Sequence, residues 1–294
     1  MSTFIIHSHG RLHEWIAEEK GYYAAEGLTD YALSKNYLGP GLSDTAFMTP
    51  EGKKFGAYES YEAGRESTTS CACHWTVNMA ASADFGSLWG DCYFVTPSGI
   101  MVPPESPIRT PADLAGVEIH VGYHSGSHYT TIQTLEEYLA PDDIKLHFGG
   151  TSNTRLDSMV DRTAQASTVW GLQYLILEQL GFRKIVDSTF VVAAMVEKGA
   201  NLDDVASYYR ALRRAQSDID FGHQHYTHFY LRELPARYVE MVDVRRFGPG
   251  ERLVFEPYSK EIYDRTHAWV EERAIFEPEK TGQGAFEEAV ARAR

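Results

Sequence analysis

Residues 117–180 alternate between short apolar runs and segments of helical period, and this alternation restricts the fold more than any other feature of the chain. Val117 to Tyr123 reads as a strand and Ser127 to Leu139 as a helix. Ile144 to Phe148 is again strand-like, Thr154 to Val160 helical, Ala164 to Thr168 extended and Gly171 to Leu180 helical. Strands separated by helices pair in parallel and are covered by those helices, so the class expected is α/β. The chain opens in the same grammar. Residues 3–8 (TFIIHS) form a short buried strand, Leu12, Trp15 and Ile16 follow at helical spacing, and Gly21 stops the helix. Tyr31 to Tyr37 suggests a second strand before the turn-rich LGPGLSDT, His74 to Ala83 a helix, and Leu88 to Val95 an extended run. TFVVAAMV at 189–196 is another buried strand, Asn201 caps a long helix through Asp218, and a last helix covers Ser259 to Glu272. The charged tail after Glu277 is expected at the periphery.

The proline-rich corner GIMVPPESPIRTPADLAG (99–116) breaks this pattern, with Thr110 as an N-cap and Pro111 at the first helical position, and it reads as a boundary. A chain of 294 residues with 43% apolar content has ample material for two lobes. Its formal charge of −14 repels a phosphate backbone, which argues against nucleic-acid binding. The opening MSTFIIHSHG lacks a basic segment, an apolar segment and a cleavage site, and no apolar run is long enough to span a membrane. The three cysteines, Cys71, Cys73 and Cys92, suit a reducing compartment. The expected location is therefore the cytoplasm.

Three stretches carry a resemblance to a known superfamily. EWIAEEKGYYAAEGL (14–28) resembles the helix-and-turn signature of type II periplasmic binding proteins. SPIRTPADLAGVEIHVGYHSGSHYTTIQTL (106–135) is similar to their entry into the second lobe, and RLDSMVDRTAQASTVWGLQYLILEQLG (155–181) to a later helix, strand and helix that meet the ligand. The branch most similar holds sulfonate- and taurine-type binding proteins and the pyrimidine-precursor synthases of thiamine biosynthesis. Those synthases carry a cysteine-rich run where this chain has TFVVAAMV, a departure that argues against their iron chemistry. The resemblance implies a two-lobed periplasmic-binding-protein type II fold with a ligand cleft between lobes. It implies residues 1–100 as the first part of lobe 1, 101–190 as lobe 2, and 191–294 as the return to lobe 1 with C-terminal helices.

The turn GYHSGSHYTT (122–131) is the strongest local signal for a site, because Ser125, Gly126 and Ser127 open a helix whose free N–H groups suit an anion. Capping of the helix by the two serines is the structural alternative. His124 and His128 flank the turn, and His128 is the candidate for proton transfer or hydrogen bonding. His120 and His147 lie on strands and read as structural. Cys71, Cys73 and His74 stand ahead of a helix whose N-terminus would lower a thiol pKa, which makes Cys71 a candidate nucleophile or proton carrier. Trp170 and Gln173 offer an aromatic face and an amide to a planar ligand, and Tyr58 with Glu59 is placed near the same cleft. His7 and His9, in FIIHSHG, turn to one side if strand alternation holds, and the pair is a candidate for ligand contact or proton transfer.

Their H-x-H also resembles the opening strand of amidohydrolase barrels. No aspartate-bearing strand end follows residue 220 to complete such a metal site, and the spacing C-x-C-H is too tight for a zinc knuckle. No organic cofactor is implied. A divalent metal is the alternative, if His223, His225 and His228 join His7 and His9. The resemblance, with lyases among the leaderless members of that superfamily, implies a cofactor-independent lyase, of decarboxylase or dehydratase type, acting on a small anionic aromatic or heteroaromatic carboxylate. The alternatives are a non-catalytic solute-binding or sensor protein for a small anion, and a metal-dependent hydrolase. Self-association into a homo-oligomer is left open.

Overall fold

A computed structural model describes residues 3–10, 12–34, 55–277, 280 and 282–293. The chain first lays down β1 (Phe4–His7), α1 (Leu12–Glu19), α2 (Tyr22–Ala25), β2 (Tyr31–Leu33), α3 (Ala57–Glu62), β3 (Thr69–Cys73), α4 (His74–Ser82), β4 (Ser87–Trp89) and β5 (Tyr93–Thr96). It crosses to a second sheet with β6 (Ser98–Val102), β7 (Glu118–Val121), α5 (Gly126–Leu135), β8 (Lys145–Phe148), α6 (Ser152–Val160), β9 (Ala166–Trp170), α7 (Gly171–Gln179) and β10 (Arg183–Asp187). It then returns through β11 (Phe190–Val196), α8 (Leu202–Gly222), β12 (Arg252–Val254), α9 (Lys260–Glu272), α10 (Phe286–Ala289) and β13 (Val290–Ala291).

The strand order is β12-β5-β11-β3-β1-β2 in the first sheet, with β4 pairing β11 and β13, and β10-β6-β9-β7-β8 in the second. β7 runs parallel to β8 and β9, as the alternating pattern requires, whereas β6 and β10 are antiparallel partners. β11 lies antiparallel against β3, Val192 opposite Cys73 and Ala194 opposite Cys71. One core gathers Ile6, Trp75, Trp89, Val192 and Tyr208 around the first sheet and runs on into Tyr129, Leu156 and Val169 beside the second, while a smaller core of Ile100, Val102, Ile119, Val121 and Leu135 belongs to the second sheet alone.

The two crossings, at 96–98 and 187–190, lie side by side. Ser188 N donates to Ser98 O at 3.0 Å and the two hydroxyls meet at 2.9 Å. These paired crossings make a hinge, and the molecule is a two-lobed α/β fold.

Some local readings shift. Leu88 to Val95 splits into β4 and β5 around Gly90–Cys92, and Pro111–Leu114 is a single 3-10 turn. β2 ends at Leu33, and residues 35–37 and LGPGLSDT lie outside the described residues. The tail is not peripheral. Val290 and Ala291 pair with β4, and Gly284 N donates to Ser82 O at 3.0 Å. Its acidic residues face solvent while Ala289 is buried, so its charged composition hides the few apolar positions that dock it.

Candidate functional site

The carboxyl ends of parallel strands, where loops and helix N-termini converge, are where open α/β sheets present ligand sites. Here β1 ends in His7-Ser8-His9-Gly10, β3 runs into α4, β7 into α5, β8 into α6, and β9 into α7. The lobes meet at this rim through glycines. A Cβ on Gly126 would lie 2.5 Å from Phe190 Cζ and 3.2 Å from Cys73 Cβ, and one on Gly56 would lie 2.0 Å from Tyr123 O.

The serines of the α5 turn are used within it. Ser125 Oγ donates to Gly122 O at 2.8 Å, and Ser127 Oγ accepts from Gly122 N at 2.9 Å. The turn is thereby fixed, leaving the first N–H groups of α5, those of Gly126 and Ser127, without intrahelical acceptors. Beside it lies Arg155, only 2% exposed. Its Nη1 is 3.0 Å from where a Gly122 Cβ would be, and it donates to Gly150 O at 2.8 Å. Among the described residues no carboxylate pairs with this guanidinium, and its Nε has no acceptor. Burial pulls its pKa down to about 10, which leaves it charged at neutral pH. A buried, uncompensated cation at a helix N-terminus is a strong attractor for an anion.

His9 is held on three sides. Its Nδ1 meets Glu251 Oε1, its ring stacks on Trp170 at 3.9 Å and 18°, and Phe190 lies edge-on at 6.2 Å. Glu251 also accepts from Gly10 N at 2.9 Å. Burial opposes its ionisation, but the charge and hydrogen bond of His9, with further help from Thr96, outweigh it and hold the carboxyl below its ordinary range. Since His9 covers one face of Trp170, that face is not open to stack on a ligand ring.

A second imidazole–carboxylate pair bridges the lobes. His124 Nδ1 lies 2.6 Å from Glu59 Oε1, while Glu59 Oε2 accepts from Gly56 N at 3.0 Å and so also caps α3. Burial raises the Glu59 pKa, but the hydrogen bond and charge of His124 lower it further, for a net depression. A depressed carboxyl contributes stability above its unfolded pKa and loses it as pH falls through the folded value. Glu59→Gln is therefore expected to cost about 1–3 kcal/mol at pH 7. The gap to wild type should narrow in thermal melts as pH falls below the ordinary carboxyl range and Glu59 protonates; a gap that does not narrow at all as the pH is lowered contradicts this account of the pair.

Other expected site residues lie elsewhere or do other work. Cys71 sits mid-strand in β3, fully enclosed, and burial pushes its thiol far up, opposite to the depression expected of a helix N-terminus. Cys73 is the residue that precedes α4, yet burial pushes it up to about 12. Neither is a thiolate at neutral pH. Tyr58 is buried, with its hydroxyl donating to Lys280 O at 2.8 Å and its ring on Phe276, so it anchors the C-terminal segment. Gln173 Nε2 donates to Asn153 Oδ1 at 2.8 Å, tying α7 to α6. His7 closes β1 as a buried residue beside Ser70, and His9 belongs to the following turn, so simple alternation does not relate the two. His128 is buried with its ring parallel to His124 at 5.9 Å and edge-on to Phe148. His223, His225 and His228 occupy short turns after α8, two of them exposed, with His228 Nδ1 bonded to His225 O. Among the described residues no group of three or more His, Cys, Asp or Glu side chains is arranged to hold a metal ion. Arg155 and Glu251, which complete the two charged features of the rim, were not legible as site residues in the sequence.

No protein-family model and no curated protein matches the chain. Solved structures do match over its length. The alkanesulfonate-binding protein SsuA from Xanthomonas axonopodis pv. citri bound to MOPS superposes with a TM-score of 0.72 at 18% identity, covering 99% of this chain and 98% of that one. The periplasmic aliphatic sulphonate binding protein SsuA from Escherichia coli gives 0.70 at 15% identity over 99% and 92%. The desulfurization enzyme DSZB gives 0.59 at 14% identity over 99% and 97%. At these identities the likeness establishes the fold, which is that of the type II periplasmic binding proteins. It also overturns the cytoplasmic location expected from the sequence, because the Escherichia coli protein of this fold is periplasmic. No helix among the described residues is long and apolar enough to cross a membrane.

Proposed function

We propose that the chain binds a small organic anion of the alkanesulfonate type between its lobes and releases it unchanged. The observation that carries this reading is Arg155, buried beside the N-terminus of α5 without a carboxylate partner among the described residues. The N–H groups of Gly126 and Ser127 and the fork of Arg155 suit the oxygens of a sulfonate or carboxylate head. The cost of desolvating Arg155 is already met in folding, so an arriving anion gains Coulombic energy in a site of low dielectric. Phe190 and the edge of the His9–Trp170 stack would meet its apolar tail. Proteins of this fold named for alkanesulfonate binding, one of them bound to MOPS, support the choice of ligand class.

The lyase expectation loses its support with Cys71, whose thiol is buried and protonated. A catalytic reading rests instead on His9, an imidazole backed by a carboxylate at the rim, in a fold that also serves the desulfurization enzyme DSZB. Incubation with butanesulfonate and mass spectrometry of the mixture separates the two. The binding reading expects raised thermal stability and unchanged ligand; sulfite or another product formed over many turnovers would replace it with the enzyme reading.

A further inference from the structure

We infer that Arg273 to Phe276, the residues that follow α9, form a clasp that holds the lobes closed and lets go as pH rises, with His124 as its titrating part. The inference goes beyond the anion-binding reading and does not depend on it. α9 belongs to the first lobe, where Asn78 Nδ2 of α4 donates to Tyr263 O at 3.0 Å. From its end the chain reaches over to α5 of the second lobe and grips that helix at both ends. At the C-terminal end Arg273 makes a two-pronged bond to Glu136, Nε to Oε1 at 2.6 Å and Nη2 to Oε2 at 2.8 Å. At the N-terminal end Ile275 O lies 3.3 Å from His124 Nε2, and the Phe276 ring packs 4.3 Å from the imidazole. Because every partner is protein, the clasp closes the cleft without a ligand.

His124 is held by the first lobe from three directions. Glu59 of α3 meets Nδ1 at 2.6 Å, Ile275 O meets Nε2, and Thr76 Oγ1 of α4 donates to His124 O at 3.1 Å. A carboxylate and a carbonyl oxygen only accept hydrogen bonds, so both ring nitrogens carry protons and the ring is an imidazolium. Its φ of 39° is one that L-residues rarely adopt, a conformation kept by these surrounding bonds. In the clasp Glu59 is ionised: burial opposes this, but the hydrogen bond and charge of His124 outweigh it. Loss of the Nε2 proton would set one lone pair against another at Ile275 O and cancel the ion pair with Glu59. Charge on the ring therefore favours closure, an advantage present at lower pH and lost as pH rises. Tyr58, Tyr123 and Tyr129 also face this cluster, with Cys73 beside Thr76, and burial raises the pKa of each. Lys280 Nζ lies 3.8 Å from Glu59 Oε1 and 3.4 Å from Glu62 Oε2, and Glu277 acts on Tyr123. His128, parallel to His124 at 5.9 Å, is a second imidazole whose part a test must separate.

The experiment is small-angle scattering of the ligand-free protein at about pH 6 and about pH 9, on either side of the ordinary imidazole range. Wild type should be compact at the lower pH and show a larger radius of gyration at the higher, with the same far-ultraviolet circular dichroism at both. His124→Gln does not titrate and should give one radius at the two pH values, whereas His128→Gln should respond as wild type does. Arg273→Gln, which takes the cation from Glu136, should already be expanded at the lower pH. An unchanged wild-type radius would overturn the clasp. So would a response that persists in His124→Gln or disappears in His128→Gln, or wild-type dimensions in Arg273→Gln at the lower pH. None of these results bears on whether the chain binds butanesulfonate, so the anion-binding reading stands or falls separately. If Arg273→Gln does not fold, wild type and the two histidine variants decide the question alone.

Discussion

Arg155→Met is expected to lower affinity for a short alkanesulfonate by about 100-fold or more while changing thermal stability little. Two charge-assisted hydrogen bonds at roughly 1.5–3 kcal/mol each correspond to a loss of this size. Stability should hold because, among the described residues, the guanidinium has no carboxylate to leave stranded; its removal relieves a desolvated charge and gives up its bonds to Gly150 O and Ser152 Oγ. This combination distinguishes a ligand-directed arginine from a structural one. An arginine that served the fold would show the reverse, a melting temperature that drops with affinity unchanged per folded molecule. Arg155→Lys should fall between, since an ammonium keeps the charge but lacks the planar fork. Calorimetric titration beside a thermal melt reads both quantities on the same preparations.

Gly126→Val should lower affinity at least 10-fold through shape instead of charge. Gly126 is the first residue of α5 and is not among the glycines of positive φ, so a side chain there brings no backbone strain. What it meets is the other lobe, Phe190 Cζ at 2.5 Å and Cys73 Cβ at 3.2 Å from the first added carbon. Cys73 leads directly into α4 and Phe190 starts β11 at the hinge, so neither yields without moving its element. The lobes must part, and donors from the two sides can no longer converge on one small anion. A larger radius of gyration in solution scattering, with the far-ultraviolet circular dichroism of wild type, is the expected companion result. Wild-type affinity and dimensions would contradict this placement of the lobe contact.

The fold was legible where its determinants are local. The strand and helix alternation over 117–180 survives almost element by element, and the apolar run at 189–196 is the central strand β11. The docked tail was not, because its strand is two residues long and is defined only by β4, some two hundred residues earlier. The site divides in the same way. The Ser-Gly-Ser turn announces itself as a helix start. Arg155 does not, since an arginine in TSNTRLDSM reads as solvated until the strand ends at Gly122 and Gly150 are seen to enclose it. Glu251 meets His9 across 242 positions, and nothing within GPGERLVF marks it. The cysteines misled for a physical reason: the helix N-terminus favours a thiolate, but complete enclosure disfavours it by more.

The most direct test of an anion seat at Arg155 is a calorimetric comparison of butanesulfonate with butanesulfonamide, which has nearly the same shape and no charge. The sulfonate should bind one per chain with micromolar or tighter affinity, and the sulfonamide at least about 100-fold more weakly, the energy of a buried charge interaction. Equal affinity for the two, or no binding of the sulfonate, would contradict the assignment.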